Sequence, residues 1–248
     1  MNLGRSTLLI QKLRIHEMID WYSSLSAEEL LASIRDKGLH DLRGGLRHVS
    51  GFSKLMNPAS GLQEEEVREM GETVSAACDR LSLFEKRLGQ LLDATTLPHR
   101  NVCFPRLTDL ELSLRENEAS WGNVLWNVEG SGGVEVDAGL LHRILSELLS
   151  NASRFGSKPT TVRLIGLADG LVELRVEDAG AGIAPEMRDR LVSPFQRGVT
   201  PQHSSGAGMG LAICRQVAGV IGARFGLGEL DGGQQGLLAV VRMDSGLG

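Results

Sequence analysis

Three short pieces between Val136 and Leu211 bring together residue types that can handle a divalent cation and a phosphate. In the first, Glu147, Asn151 and Arg154 stand at i, i+4 and i+7, so on a helix a carboxylate, an amide and a guanidinium project from one face. Leu140, Leu141, Ile144, Leu145, Leu148, Leu149, Ala152 and Phe155 fill the other side, which predicts an amphipathic helix. The second piece, Asp178-Ala179-Gly180-Ala181-Gly182-Ile183, follows Leu171 to Glu177, where Val172, Leu174 and Val176 alternate with Glu173, Arg175 and Glu177 as in a half-buried strand. A carboxylate at a strand end can accept a hydrogen bond from an exocyclic amine, and glycines let backbone approach a flat ring. The third is Gly206-Ala207-Gly208-Met209-Gly210-Leu211, a glycine loop running into an apolar helix, where backbone N–H groups can cradle phosphates.

A nucleophile stands far upstream, in His40-Asp41-Leu42-Arg43-Gly44-Gly45-Leu46. With Leu39, Leu42 and Leu46 on the apolar seam of a helix, His40 falls on its flank, with Gly44 and Arg47 on the same side. A neutral imidazole nitrogen there can attack a phosphoryl group, while Asp41 fixes the tautomer and takes the proton from the other nitrogen.

The elements that must position these groups follow from periodicity. Residues 8–22 are helix-compatible with apolar residues on more than one face, which predicts an N-terminal helical extension over residues 1–25. Ser26-Ala27-Glu28-Glu29 is a capping box that opens a helix running toward Met56, and Asn57 to Gly61 reads as a turn. Val67, Met70, Val74, Ala77, Leu81, Phe84, Leu88 and Leu91 then keep a 3-4 spacing, so a second long helix carries a narrow apolar seam. Two helices cannot enclose so long a seam. Residues 26–98 are therefore expected to form a hairpin that pairs with its twin into a four-helix bundle, a homodimer. From residue 99 to residue 248 the pattern is α/β. Strands are expected near 102–107, 124–128, 133–136, 160–167, 171–177, 224–228 and 237–243, a helix starts at a Thr108 cap, and helices lie on one face of one sheet.

Composition narrows the function classes. A net charge of -5 at pH 7 and no basic stripe argue against nucleic acid as a partner. Three widely separated cysteines suggest neither a disulfide framework nor a metal cluster, and point to a reducing, cytoplasmic setting. No apolar run reaches the roughly 20 residues of a membrane span, so a stimulus is expected to arrive through a separate sensor or input protein.

In this order and spacing the three glycine-and-carboxylate pieces resemble the N, G1 and G2 boxes of the Bergerat ATP-binding fold shared by histidine kinases, gyrase-type ATPases and heat-shock chaperone ATPases. The helix after Asp137 looks most like the histidine-kinase version, Pro194-Phe195-Gln196-Arg197 resembles that family's F box, and the His40 segment resembles its H box. The resemblance implies an α + α/β protein. A dimeric helical hairpin would be followed by a two-layer sandwich in which ATP and Mg²⁺ are bound and a histidine is phosphorylated, with an aspartate of a response regulator receiver domain as the final acceptor.

Residue by residue, the resemblance implies that Asp178 binds the adenine amine, that Asn151 ligates the metal with help from Glu147, and that Arg154 with the backbone of Gly206, Gly208 and Gly210 holds the phosphates. It extends the nucleotide pocket to Phe155, Gly180, Gly182, Ile183, Phe195, Arg197, Met209 and Leu211, and makes residues 183–205 an ATP lid. His40, Asp41 and Glu147 carry the chemistry. One departure stands out: Gly44-Gly45 replaces the family's Thr/Asn-Pro, so the side chain that positions water for dephosphorylation is missing and weak phosphatase action is expected. Two other readings use the same residues: a non-catalytic histidine phosphotransfer protein with a scaffold domain, and a gyrase- or chaperone-like ATPase with Glu147 as water-activating base. The second leaves His40 and the hairpin unexplained, and the first leaves the retained glycines so.

Overall fold

The structure, a computed structural model, describes residues 19–55, 63–96, 100–116, 121, 123–156, 159–198, 207–230, 232 and 234–246. The chain enters as a short strand, β1 (Asp20–Tyr22), and passes to α1 (Ala27–Ser33), a π-helical turn at Ile34–Gly38, α2 (Leu39–Leu55) and α3 (Glu64–Thr96). The α/β part contains β2 (Val102–Phe104), α4 (Leu107–Leu114), β3 (Val124–Glu129), β4 (Val134–Val136), α5 (Ala138–Phe155), β5 (Thr160–Gly166) and β6 (Leu171–Asp178). It closes with α6 (Pro185–Leu191), α7 (Gly210–Val220), β7 (Arg224–Gly228) and β8 (Leu237–Asp244).

The capping box at Ser26 forms as the sequence predicts: its hydroxyl accepts from Glu29 N, and the Glu29 carboxylate accepts from Ser26 N. These bonds satisfy two backbone donors that the first turn would leave orphaned. The helix that follows is not regular, because a π turn intervenes before Leu39, upstream of Gly44 and Gly45. Across Gly44 and Gly45 α2 is unbroken. Gly45 has a packing reason instead, since a Cβ there would lie 2.6 Å from Leu81 Cδ2 on α3, whereas one on Gly44 would meet nothing within 4 Å.

Six strands form one sheet in the order β1-β7-β8-β6-β5-β3, antiparallel except where β3 runs parallel to β5. Val162, Leu164, Val172, Leu174, Val176, Phe225 and Val241 point to the face covered by α5 and α7, whose Leu141, Ile144, Leu145, Ile213 and Val217 complete the core. Fully burying each such side chain contributes about 1.5–3 kcal/mol, which makes this layer the main source of stability.

Four expectations need correction. Residues 20–22, read as the end of an N-terminal helix, are instead the sheet's edge strand, pairing Trp21 with Gly226 and Tyr22 with Phe225. Alternating apolar residues on more than one face satisfy a strand as well as a helix, and the free β7 edge decides between them. The strands near 102 and 133 do not join the main sheet but form their own ribbon, β2 with β4. The helix expected to start at a Thr108 cap starts two residues earlier, with Arg106 at the cap position and no side-chain cap bond. Lastly, β6 is not half-buried: Glu173 is fully buried on the outer face, bonded to Arg175 and Arg242. Residues 8–18, the turn at 57–61, Pro98, Gly206 and the side chain of His48 lie outside the described residues, as do residues 199–205 of the expected ATP lid.

The hairpin's seam is shared with the α/β part. Phe84 and Leu91 of α3 belong to the same core as α5 and α7, while Leu46 and Val67 remain 51% and 38% exposed.

Candidate functional site

The α5 helix is held at its start by Asp137, whose carboxylate accepts from Leu140 N at 2.9 Å and from Arg100 N at 2.7 Å. This cap fixes where the helix begins, and so which residues of its polar face reach the next loop. Glu147 and Asn151 arrive beside the first residue of α7: a Cβ on Gly210 would sit 3.2 Å from Glu147 Oε2 and 3.3 Å from Asn151 Nδ2. A glycine is needed there because any side chain would fill the space between the amide, the carboxylate and the helix N-terminus. Gly208, at φ +66°, turns the incoming loop, and a Cβ on it would strike the Gln196 carbonyl at 2.5 Å. Met209 is buried beneath it.

The opposite end of α5 abuts the carboxylate loop. A Cβ on Gly156 would lie 2.9 Å from Asp178 Cβ, and one on Gly180 would lie 2.5 Å from the Phe155 carbonyl. Gly180 N donates to Asp178 Oδ1 at 2.8 Å. Burial pushes the Asp178 carboxyl above its ordinary range, opposed by the N–H groups of Gly180 and Leu237. Gly182 takes φ +72° to pass the Gly236 carbonyl, and Ile183 packs at the margin of the core.

The structure thus brings Glu147, Asn151 and Gly210 together, and one turn further along α5 it sets Asp178 and Gly180 against the Phe155 backbone and Gly156. It distributes the remaining predicted residues differently. Arg154 is exposed, and Phe155, expected on the apolar side of α5, is 56% exposed because the helix ends there, beyond the sheet. Leu211 lies partly buried against the core, and the Arg197 carbonyl accepts from Arg190. Phe195 adopts φ +62° and stacks on Phe84 of the hairpin at 5.4 Å, with its ring against Gly38.

His40 faces solvent, its side chain 75% exposed, and its Nδ1 lies 3.5 Å from Asp41 Oδ1. Two arginines escaped the sequence reading. Arg87 of α3 forms an ion pair with Glu147, and Arg143 donates to the Gln90 carbonyl. Arg87 lies three residues after Phe84 and one before Leu88, beside the seam rather than in it, so in sequence it reads as a solvated charge. Besides Gln90 on its own helix, the docking of α3 on α5 and α7 gives it a carboxylate partner.

Comparison with known proteins finds relatives for the chain and for its α/β part. Residues 136–243 match the family model described as histidine kinase-, DNA gyrase B-, and HSP90-like ATPase. The sensor protein KdpD of Mycobacterium tuberculosis is 28% identical over 229 residues, covering 87% of this chain and 26% of KdpD, so the chain spans about a quarter of that relative's length. Among solved structures, histidine kinase ThkA in complex with the response regulator TrrA is similar with a TM-score of 0.59 at 16% identity, covering 89% of this chain and 67% of that one. Full-length ShkA in complex with AMPPNP is similar with a TM-score of 0.52 at 23% identity, covering 89% of this chain and 46% of ShkA. Residues 136–243 are therefore similar to the ATPase domain shared by histidine kinases, DNA gyrase B and HSP90, and the likeness in fold to solved histidine kinase structures extends over 89% of the chain.

Proposed function

We propose that the protein is an ATP-dependent protein-histidine kinase of a two-component system, with residues 26–98 as dimerisation and phosphotransfer hairpin and residues 99–248 as catalytic domain. The observation that carries this reading is the meeting of Asn151 and Glu147 with Gly210 in a chain that also exposes His40 beside Asp41. ATP supplies the transferable phosphoryl group, and Mg²⁺ would neutralise charge on it. Among the described residues no cluster of three or more His, Cys, Asp or Glu is set to hold a metal. A hard cation that takes one or two protein oxygens and the rest from phosphate and water fits the Asn151 and Glu147 oxygens.

The chain's own groups then divide the work. The half-buried Asp178 accepts from the adenine amine, the backbone around Gly208 and Gly210 receives phosphate oxygens, and Arg154 has the reach of a long exposed cation. Asp41 holds the Nδ1 proton of His40, leaving Nε2 with the lone pair that attacks the γ-phosphorus as the bond to the leaving ADP oxygen breaks. The phosphoryl group next passes to an aspartate of a receiver domain, a step supported by the ThkA neighbour's complex with a response regulator. The exposed Leu46 and Val67 support a second copy of the chain as the hairpin's remaining partner. No helix among the described residues is long and apolar enough to cross a membrane, which suits a cytoplasmic kinase taking input from another protein.

Incubation with γ-labelled ATP and magnesium should give acid-labile, base-stable label on the protein. His40→Gln should abolish it while binding of a fluorescent ATP analogue persists. Label surviving in that variant, or turnover to free phosphate alone, would sink the kinase reading.

A further inference from the structure

The segment ahead of the hairpin is bound into the nucleotide domain more closely than a linker requires. Asp20, Trp21 and Tyr22 extend the sheet at β7, and Ile19 is buried with Leu230, Leu238 and Val240 on the sheet's outer face. The Trp21 ring lies between two guanidinium groups, 4.2 Å from Arg242 and 5.1 Å from Arg224. Arg242 is itself fixed by the buried Glu173. Arg188, almost wholly buried, bonds Asp20 at 2.9 Å and Glu229 at 3.2 Å. Beyond the strand, Arg215 donates to the Ser23 carbonyl, Gln216 accepts from Leu25 N at 3.0 Å, and Leu25 enters the main core.

Two glycines record the same passage. A Cβ on Gly219 of α7 would lie 2.3 Å from Ser24 Cβ, and one on Gly226 of β7 would lie 2.4 Å from Ile19 Cγ2. Neither has a positive φ, so backbone freedom does not call for glycine at these positions. The room they leave is taken up by the segment.

We propose that Ile19–Leu25 is a releasable strap that clamps the nucleotide domain onto its own hairpin, so that its withdrawal frees that domain to carry nucleotide to His40. A strand of three paired residues at a sheet edge is a low-stability element, well suited to local release. It grips α7 through Arg215 and Gln216, and the first residue of α7 is Gly210 beside Asn151. The chain runs from the strap through the capped α1 directly to His40, eighteen residues after Tyr22. With the strap seated, Glu147 is paired with Arg87 of the hairpin and Phe195 is stacked on Phe84, while His40 faces solvent. The resting arrangement therefore holds the nucleotide end of the domain against α3.

This inference rests on the kinase reading for one of its two readouts only. Gly219→Ala raises the helix propensity of α7 yet blocks the seat of Ser24, so it tests strap displacement without weakening the domain; Trp21→Ala removes the ring between the two arginines. Both should raise amide hydrogen exchange at residues 84–91 of α3 at least fivefold and speed His40 labelling severalfold. Asp20→Cys with Leu227→Cys, in a background with Cys78 and Cys103 replaced by serine, pairs two facing positions as a disulfide and leaves Gly226 without a side chain. Oxidation should slow labelling at least tenfold relative to the same protein reduced, with ATP-analogue affinity within twofold. Unchanged exchange in α3 when the strap is displaced, or equal labelling of oxidised and reduced protein, would overturn the proposal. If no variant labels at all, the kinase reading fails, and the exchange comparison still decides for or against the strap.

Discussion

Arg87 of the hairpin and Glu147 of the nucleotide domain form an ion pair in which both side chains are largely withdrawn from water, 18% and 11% exposed. Removing one member of such a pair leaves a charge without compensation, at a cost of about 3–5 kcal/mol if nothing moves. Here the interface can open instead and let water reach the survivor. Arg87→Met and Glu147→Gln should therefore each destabilise the docked arrangement, with a coupling of about 1–3 kcal/mol in a double-mutant cycle read by urea unfolding. Additive effects of the two changes would show that the pair contributes nothing.

The adjacent glycines of α2 should respond in opposite ways. Gly44→Ala places a methyl in open space and should stabilise by about 0.5–1 kcal/mol through helix propensity. Gly45→Ala sets its methyl 2.6 Å from Leu81 Cδ2, so α3 must give way and most of that gain should be lost or reversed. Thermal unfolding of the two single variants makes the comparison. Equal stabilisation would show that the helices do not approach at Gly45.

Asp178 sets a pH dependence whose sign follows from burial. Burial holds its carboxyl above the ordinary carboxylate range, so the ionised form is penalised in the folded chain. That penalty is absent below the unfolded pKa and grows as pH rises from there through the raised folded value. Asp178→Asn should therefore gain stability relative to the parent across that window and keep the gain at neutral pH. It should also lose about 100-fold in ATP-analogue affinity, since the amide presents a weaker acceptor to the adenine amine. In the parent, affinity should fall on acidification at a pH above the ordinary carboxylate range. Titration of analogue binding and denaturant midpoints against pH in both proteins checks the two signs together.

Gly208 should tolerate no side chain. A left-handed φ of +66° and a Cβ 2.5 Å from the Gln196 carbonyl together predict a loss of about 1–3 kcal/mol for Gly208→Ala. The variant should fail to bind nucleotide even where it remains folded, because the loop feeding α7 is displaced. Circular dichroism with calorimetric titration of an ATP analogue separates the two effects.

Sequence alone determined the local chemistry. The Ser26 capping box, the Asp137 cap of α5, the i, i+4 placement of Glu147 and Asn151, and the glycines around Asp178 and Gly210 depend on short-range geometry. Period and spacing express that geometry directly. What only the tertiary structure decided depends on surfaces separated along the chain. Residues 20–22 became a strand because the edge of β7, some two hundred positions later, offered unpaired backbone groups. Glu173 could be buried on the outer face because Arg175 and Arg242 close over it. Phe195 gained its ring partner and Arg87 its carboxylate partner only when the nucleotide domain settled on α3, a choice between water and a distant surface that no local pattern encodes.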